Sequence, residues 1–145
     1  MTQAPLGFML PDVGDWTPPE VSSLPSWRGA GRVSVDLETK DPNLTKLGPG
    51  VRRGDGEVVG IAFAIEDGPD AYLPIAHGGG GNLDPTHVWA YLRDQARTFE
   101  GDIVGANLQY DLDWMAQNGV EFRPRYFRDV QVAEPLIDEH QFEYG

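Results

Sequence analysis

The sequence predicts one α/β domain, in which helices pack on a mixed β-sheet. Apolar strand segments follow one another after residue 31, and a helix, a strand and a helix alternate after them. The chain has 145 residues, of which 40% are hydrophobic, and this length has room for one core of ordinary size. We therefore expect one folded unit over residues 32–145, preceded by an arm.

The arm is predicted over residues 1–31. It is rich in proline, which lacks the N–H donor of a β-ladder, and it has no helical or strand periodicity. Trp16 and Trp27 are costly to leave in water. We expect them to pin the arm onto the domain, with contact to a partner protein as the alternative.

Three strands are predicted next. Residues 33–37 alternate apolar and polar side chains, and residues 58–65 are almost continuously apolar, as in a strand covered on both faces. Residues 71–76 are expected to return antiparallel after a turn, with Pro74 placing that strand at or near a sheet edge. Residues 40–56, rich in Gly, Pro and Asp, are predicted to be a loop.

Helices and strands alternate in the second half. Asp84 is a typical N-cap and Pro85 a typical first helical residue, and Gly101 is expected to end this helix. The remaining predictions are a buried strand, a helix, a strand and a helix interrupted by Pro135, at residues 103–107, 108–118, 126–130 and 132–137.

The charge balance limits the function. There are 23 Asp and Glu against 11 Lys and Arg, a net charge of −12, which argues against holding nucleic acid or an anionic membrane by bulk positive potential. Metal ions between carboxylates and a phosphate remain possible. The absence of cysteine excludes disulfides and thiolate chemistry. With neither a membrane-spanning stretch nor a signal-peptide pattern, we expect an intracellular protein without membrane contact.

Two carboxylates stand at the end of the first predicted strand. Asp36 and Glu38 are two residues apart, so both project from the same face and repel each other. A divalent cation between them would explain the pair, and oxygen ligands suit Mg²⁺ or Mn²⁺; a solvated strand end is the alternative. Asp111, about one turn into a helix after another strand, brings a third acid. Asp113 is expected on a different, solvent-exposed helix face.

The segment Asp36-Leu37-Glu38-Thr39, followed by residues 105–112 (GANLQYDL), resembles the first two motifs of the 3′→5′ proofreading exonuclease domain of family A, polymerase I-like DNA polymerases, phage enzymes included. Residues 129–139 are similar to the segment that follows there. The resemblance spans about residues 32–144. It implies a ribonuclease H-like fold, here without its C-terminal helices. It also implies that the domain acts together with a polymerase domain or other replication proteins.

The resemblance also implies hydrolysis of phosphodiester bonds at single-stranded DNA 3′ ends with two Mg²⁺ or Mn²⁺ ions. Asp36 would contact both ions, Glu38 the ion that activates water, and Asp111 the other ion. Substrate-binding roles are implied for four residues, Thr39, Leu44, Asn107 and Tyr110. Tyr110 could equally be a core aromatic.

The sequence departs from the family at a fourth acid, an Asp four residues after a Tyr or His. Tyr126 is followed at that spacing by Val130, and His140 precedes Tyr144 near the end. We therefore interpret the chain as the front part of such a domain, from a longer polymerase or a naturally short relative. Its location would be the cytoplasm or nucleoid, or the host cytoplasm for a phage.

Two alternatives stay open. The domain could be a non-catalytic scaffold that binds DNA or a replication partner, or an RNA exonuclease resembling ribonuclease D. Candidate phosphate contacts, with plain surface charge as the alternative, are Arg52, Arg53, Arg123, Arg125 and Arg128.

Overall fold

The computed structural model describes residues 16–137, which form a five-stranded sheet with the strand order β3-β2-β1-β4-β5. The strands are β1 (Arg32–Lys40), β2 (Glu57–Ile65), β3 (Asp70–Pro74), β4 (Asp102–Gly105) and β5 (Tyr126–Asp129). The helices are α1 (Leu44–Leu47), α2 (Pro85–Thr98), α3 (Leu108–Gln117) and α4 (Val130–Ile137), with 3₁₀ turns at Val21–Ser23 and Gly50–Arg53.

The sheet is mixed, as predicted. β1 pairs antiparallel with β2, and β2 with β3, whereas β1 pairs parallel with β4, and β4 with β5. The predicted hairpin of β2 and β3 is confirmed, and Pro74 ends the edge strand β3. β1 is the central strand of the sheet, so the face on which its apolar side chains lie is the face that carries the core.

Alternation along β1 separates the core from the acids. Val33, Val35 and Leu37 are buried, while Asp36 and Glu38 are exposed on the opposite face. The buried face joins one hydrophobic cluster with residues of the other strands and of α2 and α3, among them Ile61, Phe63, Leu73, Val88, Leu92, Ile103, Trp114 and Met115. The opposite face carries the smaller residues and the carboxylates.

Helix α2 begins as predicted and ends earlier. Asp84 Oδ1 accepts a hydrogen bond from the Thr86 N–H at 2.8 Å, and Pro85 is the first helical residue. The helix ends at Thr98 because Phe99 is extended and turns into the core, where it is 2% exposed. Gly101 is therefore not the helix stop. A Cβ there would collide with the Ala30 carbonyl oxygen, so close packing explains the glycine.

The segment predicted as a loop has its own structure. β1 continues to Lys40, and a short helix and a 3₁₀ turn follow it. Asp41 Oδ2 accepts a hydrogen bond from the Gly50 N–H at 2.8 Å. The Arg53 guanidinium donates to three carbonyl oxygens, those of Leu47, Gly48 and Pro49. The turn is thus held by its polar side chains.

The arm docks through one of its two tryptophans. Trp27 is fully buried, its indole stacks on Phe122 at a centroid distance of 5.7 Å, and its backbone N–H donates to Gln95 Oε1 at 2.9 Å. Trp16 is 58% exposed and is not a buried anchor. The expectation that both tryptophans pin the arm is therefore wrong for Trp16. Residues 1–15 lie outside the described part of the chain.

At the other end, α4 begins at Val130, two residues before its predicted start, and contains Pro135. Residues 138–145, which include His140 and Tyr144, lie outside the described part, so the missing fourth acid stays a sequence prediction. Within residues 16–137, none of the helices has both the length and the apolar character required to cross a membrane.

Candidate carboxylate site

The predicted acids lie at the sheet edge where the parallel strands end. β1 pairs with β4 only as far as Ser34, so Asp36 and Glu38 extend beyond the end of β4. Asn107 comes shortly after β4, and Asp129 is the last residue of β5. Because parallel strands end at the same edge, this is where an α/β sheet positions a site.

A bulge in the sheet falls at the acid pair. Glu38 opposes Gly60, but Thr39 opposes Val58, so one residue of β2 is left unpaired between them. Bulges re-aim side chains next to active sites. Here the Thr39 hydroxyl shares a hydrogen bond with the Tyr110 hydroxyl of α3 at 2.7 Å. Asp36 and Glu38 stay exposed and share one face, as predicted.

Asp111 is brought from α3 to this edge and is only 4% exposed. Burial, together with the negative charges of Asp36 and Asp129, raises its pKa to about 7, although the hydrogen bond from the Leu37 backbone N–H acts in the opposite direction. A buried carboxyl near another carboxylate is costly to ionise without a cation. The third acid is thus near Asp36, as the sequence analysis expected.

Asp129 is a residue of this edge that the site prediction omitted. Its carboxylate accepts hydrogen bonds from three backbone N–H groups, those of Asn107 (3.1 Å), Leu108 (2.8 Å) and Gln131 (3.0 Å). Partial burial raises its pKa, but these hydrogen bonds outweigh that effect and hold the pKa below its ordinary value. Asp129 therefore fixes the start of α3, three residues before Asp111. An Asp between a strand and a helix was the available sequence signal.

Three of the four predicted substrate-binding residues share a cleft. Leu44, Asn107 and Tyr110 line it, and its volume is about 270 Å³. The Tyr110 hydroxyl also donates to Asp41 Oδ2 at 3.2 Å. Thr39, the fourth of these residues, is hydrogen-bonded to the same Tyr110 hydroxyl. Leu44 is 40% exposed on α1. Asp113 is half-buried in the same cleft and accepts from Gln109, so the expectation of a solvent-exposed Asp113 is wrong.

Asn107 has a left-handed backbone, with φ of 55° and ψ of 44°. This conformation is uncommon for residues other than glycine, although Asn tolerates it better than most. It turns the chain from β4 into α3, and the Asp129 carboxylate holds its N–H. The strain is thus localised at the start of the helix that carries Asp111.

Most of the candidate phosphate-binding arginines have structural partners. Arg53 is bound to the carbonyls of its own turn and to Asp55. Arg125 and Arg128 both bind the fully buried Asp102 carboxylate, the former at 2.8 Å. Each guanidinium donates through its Nε to one oxygen of this carboxylate, so both arginines already have a structural partner.

The donor chemistry fits a divalent cation, but the acids are not preassembled around one point. Carboxylate oxygens are the hard ligands that such a cation prefers. A bound cation would also stabilise the ionised form of Asp111, whose pKa is raised to about 7. Within residues 16–137, however, no three or more His, Cys, Asp or Glu side chains form a group close enough to hold a metal ion. Metal binding would therefore require a side-chain rearrangement.

Comparison with known proteins shows that the chain is similar to a segment of a DNA polymerase. The chain is 61% identical over 133 residues to a DNA-directed DNA polymerase of Pseudomonas phage M6, a match that covers 90% of this chain and 20% of that polymerase. In structure it is similar to Brucella melitensis NrnC bound to pGG, with a TM-score of 0.53 and 21% identity over 84% of this chain and 52% of that chain. No model of a known protein family matches the chain.

The chain spans about a fifth of the phage polymerase, and the shared fold is a mixed five-stranded sheet flanked by helices. The expected relation to phage DNA polymerases is thus confirmed. The protein is a relative of one segment of a phage DNA-directed DNA polymerase, and it has a ribonuclease H-like α/β fold.

Proposed function

We propose that this domain is a metal-dependent 3′→5′ exonuclease that proofreads single-stranded DNA ends for a DNA polymerase. The observation that carries the proposal is the placement of Asp111. Helix α3 brings this nearly buried carboxyl near enough to Asp36 for the two charges to interact, and burial together with that charge raises its pKa to about 7. A divalent cation near Asp111 would stabilise its ionised form and so offset the cost of burying this carboxyl.

The residues have separate tasks in this proposal. Asp36, Glu38 and Asp111 would hold two Mg²⁺ or Mn²⁺ ions. Bound ions would supply positive charge to the phosphate and to the attacking water. Asp129 keeps the start of α3 in place and so positions Asp111.

The strand end would lie in the cleft beside these acids. Thr39 holds the Tyr110 hydroxyl through a 2.7 Å hydrogen bond, which orients that ring in the cleft wall. Leu44, exposed on α1, provides an apolar contact for the last base, and Asn107 provides a polar one. These contacts read no base edge in a sequence-specific pattern, so little sequence preference is expected.

The experiment is a hydrolysis assay on the full-length protein. A 5′-labelled single strand is incubated with Mg²⁺, with Mn²⁺ or with EDTA, and shortening from the 3′ end is followed. We expect hydrolysis only with metal, and its loss in Asp36→Ala and Asp111→Asn. Asp94→Ala removes a 62%-exposed carboxylate on α2 and should leave the rate unchanged. Equal rates in Asp36→Ala and the unmodified protein would refute the assignment.

One observation favours a second candidate, a non-catalytic domain that binds DNA or a replication partner. The acids in the described residues do not form a preassembled metal group. This candidate predicts no release of nucleotides from the full-length protein with either metal, together with retained binding of single-stranded DNA. An RNA strand in the same assay tests the ribonuclease D-like alternative.

A further inference from the structure

A second cleft, of about 500 Å³, lies on the sheet face opposite the core. Asp36 lines it together with Ala62, Tyr72, Gly105 and Val130. Its walls are largely apolar, which suits a flat organic ring better than a phosphate. The net charge of −12 offers no bulk attraction to a polyanion, so a strand bound here needs contacts to its bases.

Tyr72 is placed on the same face as the two acids of β1. It pairs with Ala62 of β2, which in turn pairs with Asp36. Its ring lies over Gly60, the partner of Glu38, and a Cβ at Gly60 would collide with the phenol. The missing side chain of Gly60 thus makes room for the ring beside Glu38.

The Tyr72 ring is held rigidly. Its hydroxyl is hydrogen-bonded to His77 Nε2. His77 is fixed in turn by Asn82, whose side chain accepts from the His77 N–H and donates to the His77 carbonyl, both at 2.8 Å. A ring that is already ordered loses little entropy when a ligand stacks on it.

Trp16 of the arm extends this aromatic surface. Its indole packs against Tyr72 at a centroid distance of 6.2 Å and a tilt of 43°, yet 58% of the residue is exposed. Trp27 shows how this arm buries a tryptophan when it serves as an anchor. An indole left open beside the cleft has the properties of a stacking platform for nucleobases.

We propose that Trp16 and Tyr72 form a base-stacking subsite for single-stranded DNA beside the carboxylates. The ligand class rests on the proposed function. The subsite would hold a nucleotide of the strand by its aromatic face, and the affinity it adds would be independent of base identity. Without metal, phosphate contacts would add little, because the neighbouring acids repel the backbone.

Binding is measured by fluorescence anisotropy of a 5′-labelled oligothymidylate on the full-length protein in EDTA, where the proposed hydrolysis does not consume the probe. Trp16→Ala and Tyr72→Ala should each weaken binding about five- to 150-fold, the range for loss of one base–aromatic stack. Trp16→Phe and Tyr72→Phe keep a ring and should retain most of the affinity. Tyr126→Ala, which removes another ring that is 58% exposed, should bind normally.

An abasic strand of the same length separates stacking from other effects. If bases stack on this surface, the alanine variants and the unmodified protein bind the abasic strand equally. Unchanged binding of oligothymidylate by the alanine variants, or an equal loss on both strands, overturns the subsite. The outcome is separate from the proposed function, because hydrolysis that survives Asp36→Ala refutes the function whatever the anisotropy shows.

Discussion

Asp129 Oδ2 accepts a hydrogen bond from the Leu108 N–H at 2.8 Å and thereby joins the end of β5 to the start of α3. The carboxylate provides the cap that the Asn107 side chain does not provide. It also lies near enough for its charge to raise the pKa of Asp111. One residue thus both positions the third acid and makes that acid harder to ionise.

The first prediction concerns this cap. Asp129→Ala should lower the free energy of unfolding by about 1–2 kcal/mol, the usual cost of removing a helix cap. Urea titration at pH 7 measures it. Asp113→Ala, on the same helix, loses only a contact to Gln109 and should change stability by less than about 0.5 kcal/mol. A loss from Asp113→Ala as large as that from Asp129→Ala would contradict the capping role.

The second prediction follows from the raised pKa of Asp111. Its folded pKa is about 7 against an ordinary 3.8, so the stability linked to this group is fully present below pH 3.8 and is lost as the pH rises through about 7. Asp111→Asn removes the dependence. In EDTA at pH 8, the variant should be more stable than the unmodified protein by up to about 4 kcal/mol, since one pKa unit is about 1.4 kcal/mol.

Unfolding curves at pH 5 and pH 8 provide the check. The stability gap between Asp111→Asn and the unmodified protein should widen from pH 5 to pH 8, and Mg²⁺ should narrow it at pH 8 if the acids bind metal. Asp94→Asn, an exposed carboxylate, controls for general charge effects. A gap independent of pH would mean that Asp111 is ionised at little cost.

The third prediction concerns Tyr110. Tyr110→Phe removes hydrogen bonds to Thr39 (2.7 Å) and Asp41 (3.2 Å), which should cost about 0.5–1.5 kcal/mol of stability. If the cleft binds the strand end, KM for the oligonucleotide should also rise. Tyr91→Phe loses a similar bond, to the Pro25 carbonyl at 2.7 Å, away from the site. Stability should fall in both variants and KM should change only in Tyr110→Phe.

The fourth prediction concerns Asp102, the first residue of β4, which is fully buried and is bound by two arginines. Hydrogen bonds from Arg125 and Arg128 lower its pKa to about 2. A lowered pKa in an acid contributes stability that is present above 3.8 and lost as the pH falls through about 2.

Asp102→Asn should therefore lower the urea midpoint at pH 7, and the difference should shrink as the pH approaches 2. Asp94→Asn breaks an exposed pair with Arg97 and should have little effect at either pH. A difference that stays constant down to pH 2 would show that the charge of Asp102 is not what binds β5 to β4.

Local patterns predicted much of the fold. The alternation of Val33, Val35 and Leu37 with Asp36 and Glu38 indicated both the strand and the face of the acids, because side chains alternate along any strand. The Asp84-Pro85 start of α2 was readable because capping involves neighbours in sequence. Gly101 was misread as a helix end, since the carbonyl oxygens packed against it belong to Ala30 and Gly31, which are 71 and 70 positions earlier in the chain.

What the sequence by itself determined is the set of β1 acids, the alternation of elements and the relation to a polymerase. Tertiary structure decided that Asp111 is nearly buried, that Asp129 caps α3, and that Arg125 and Arg128 both bind Asp102. It also decided that Trp16 stays open beside Tyr72. The physical reason is that burial, charge pairing and stacking depend on contacts between distant residues, which no local periodicity records.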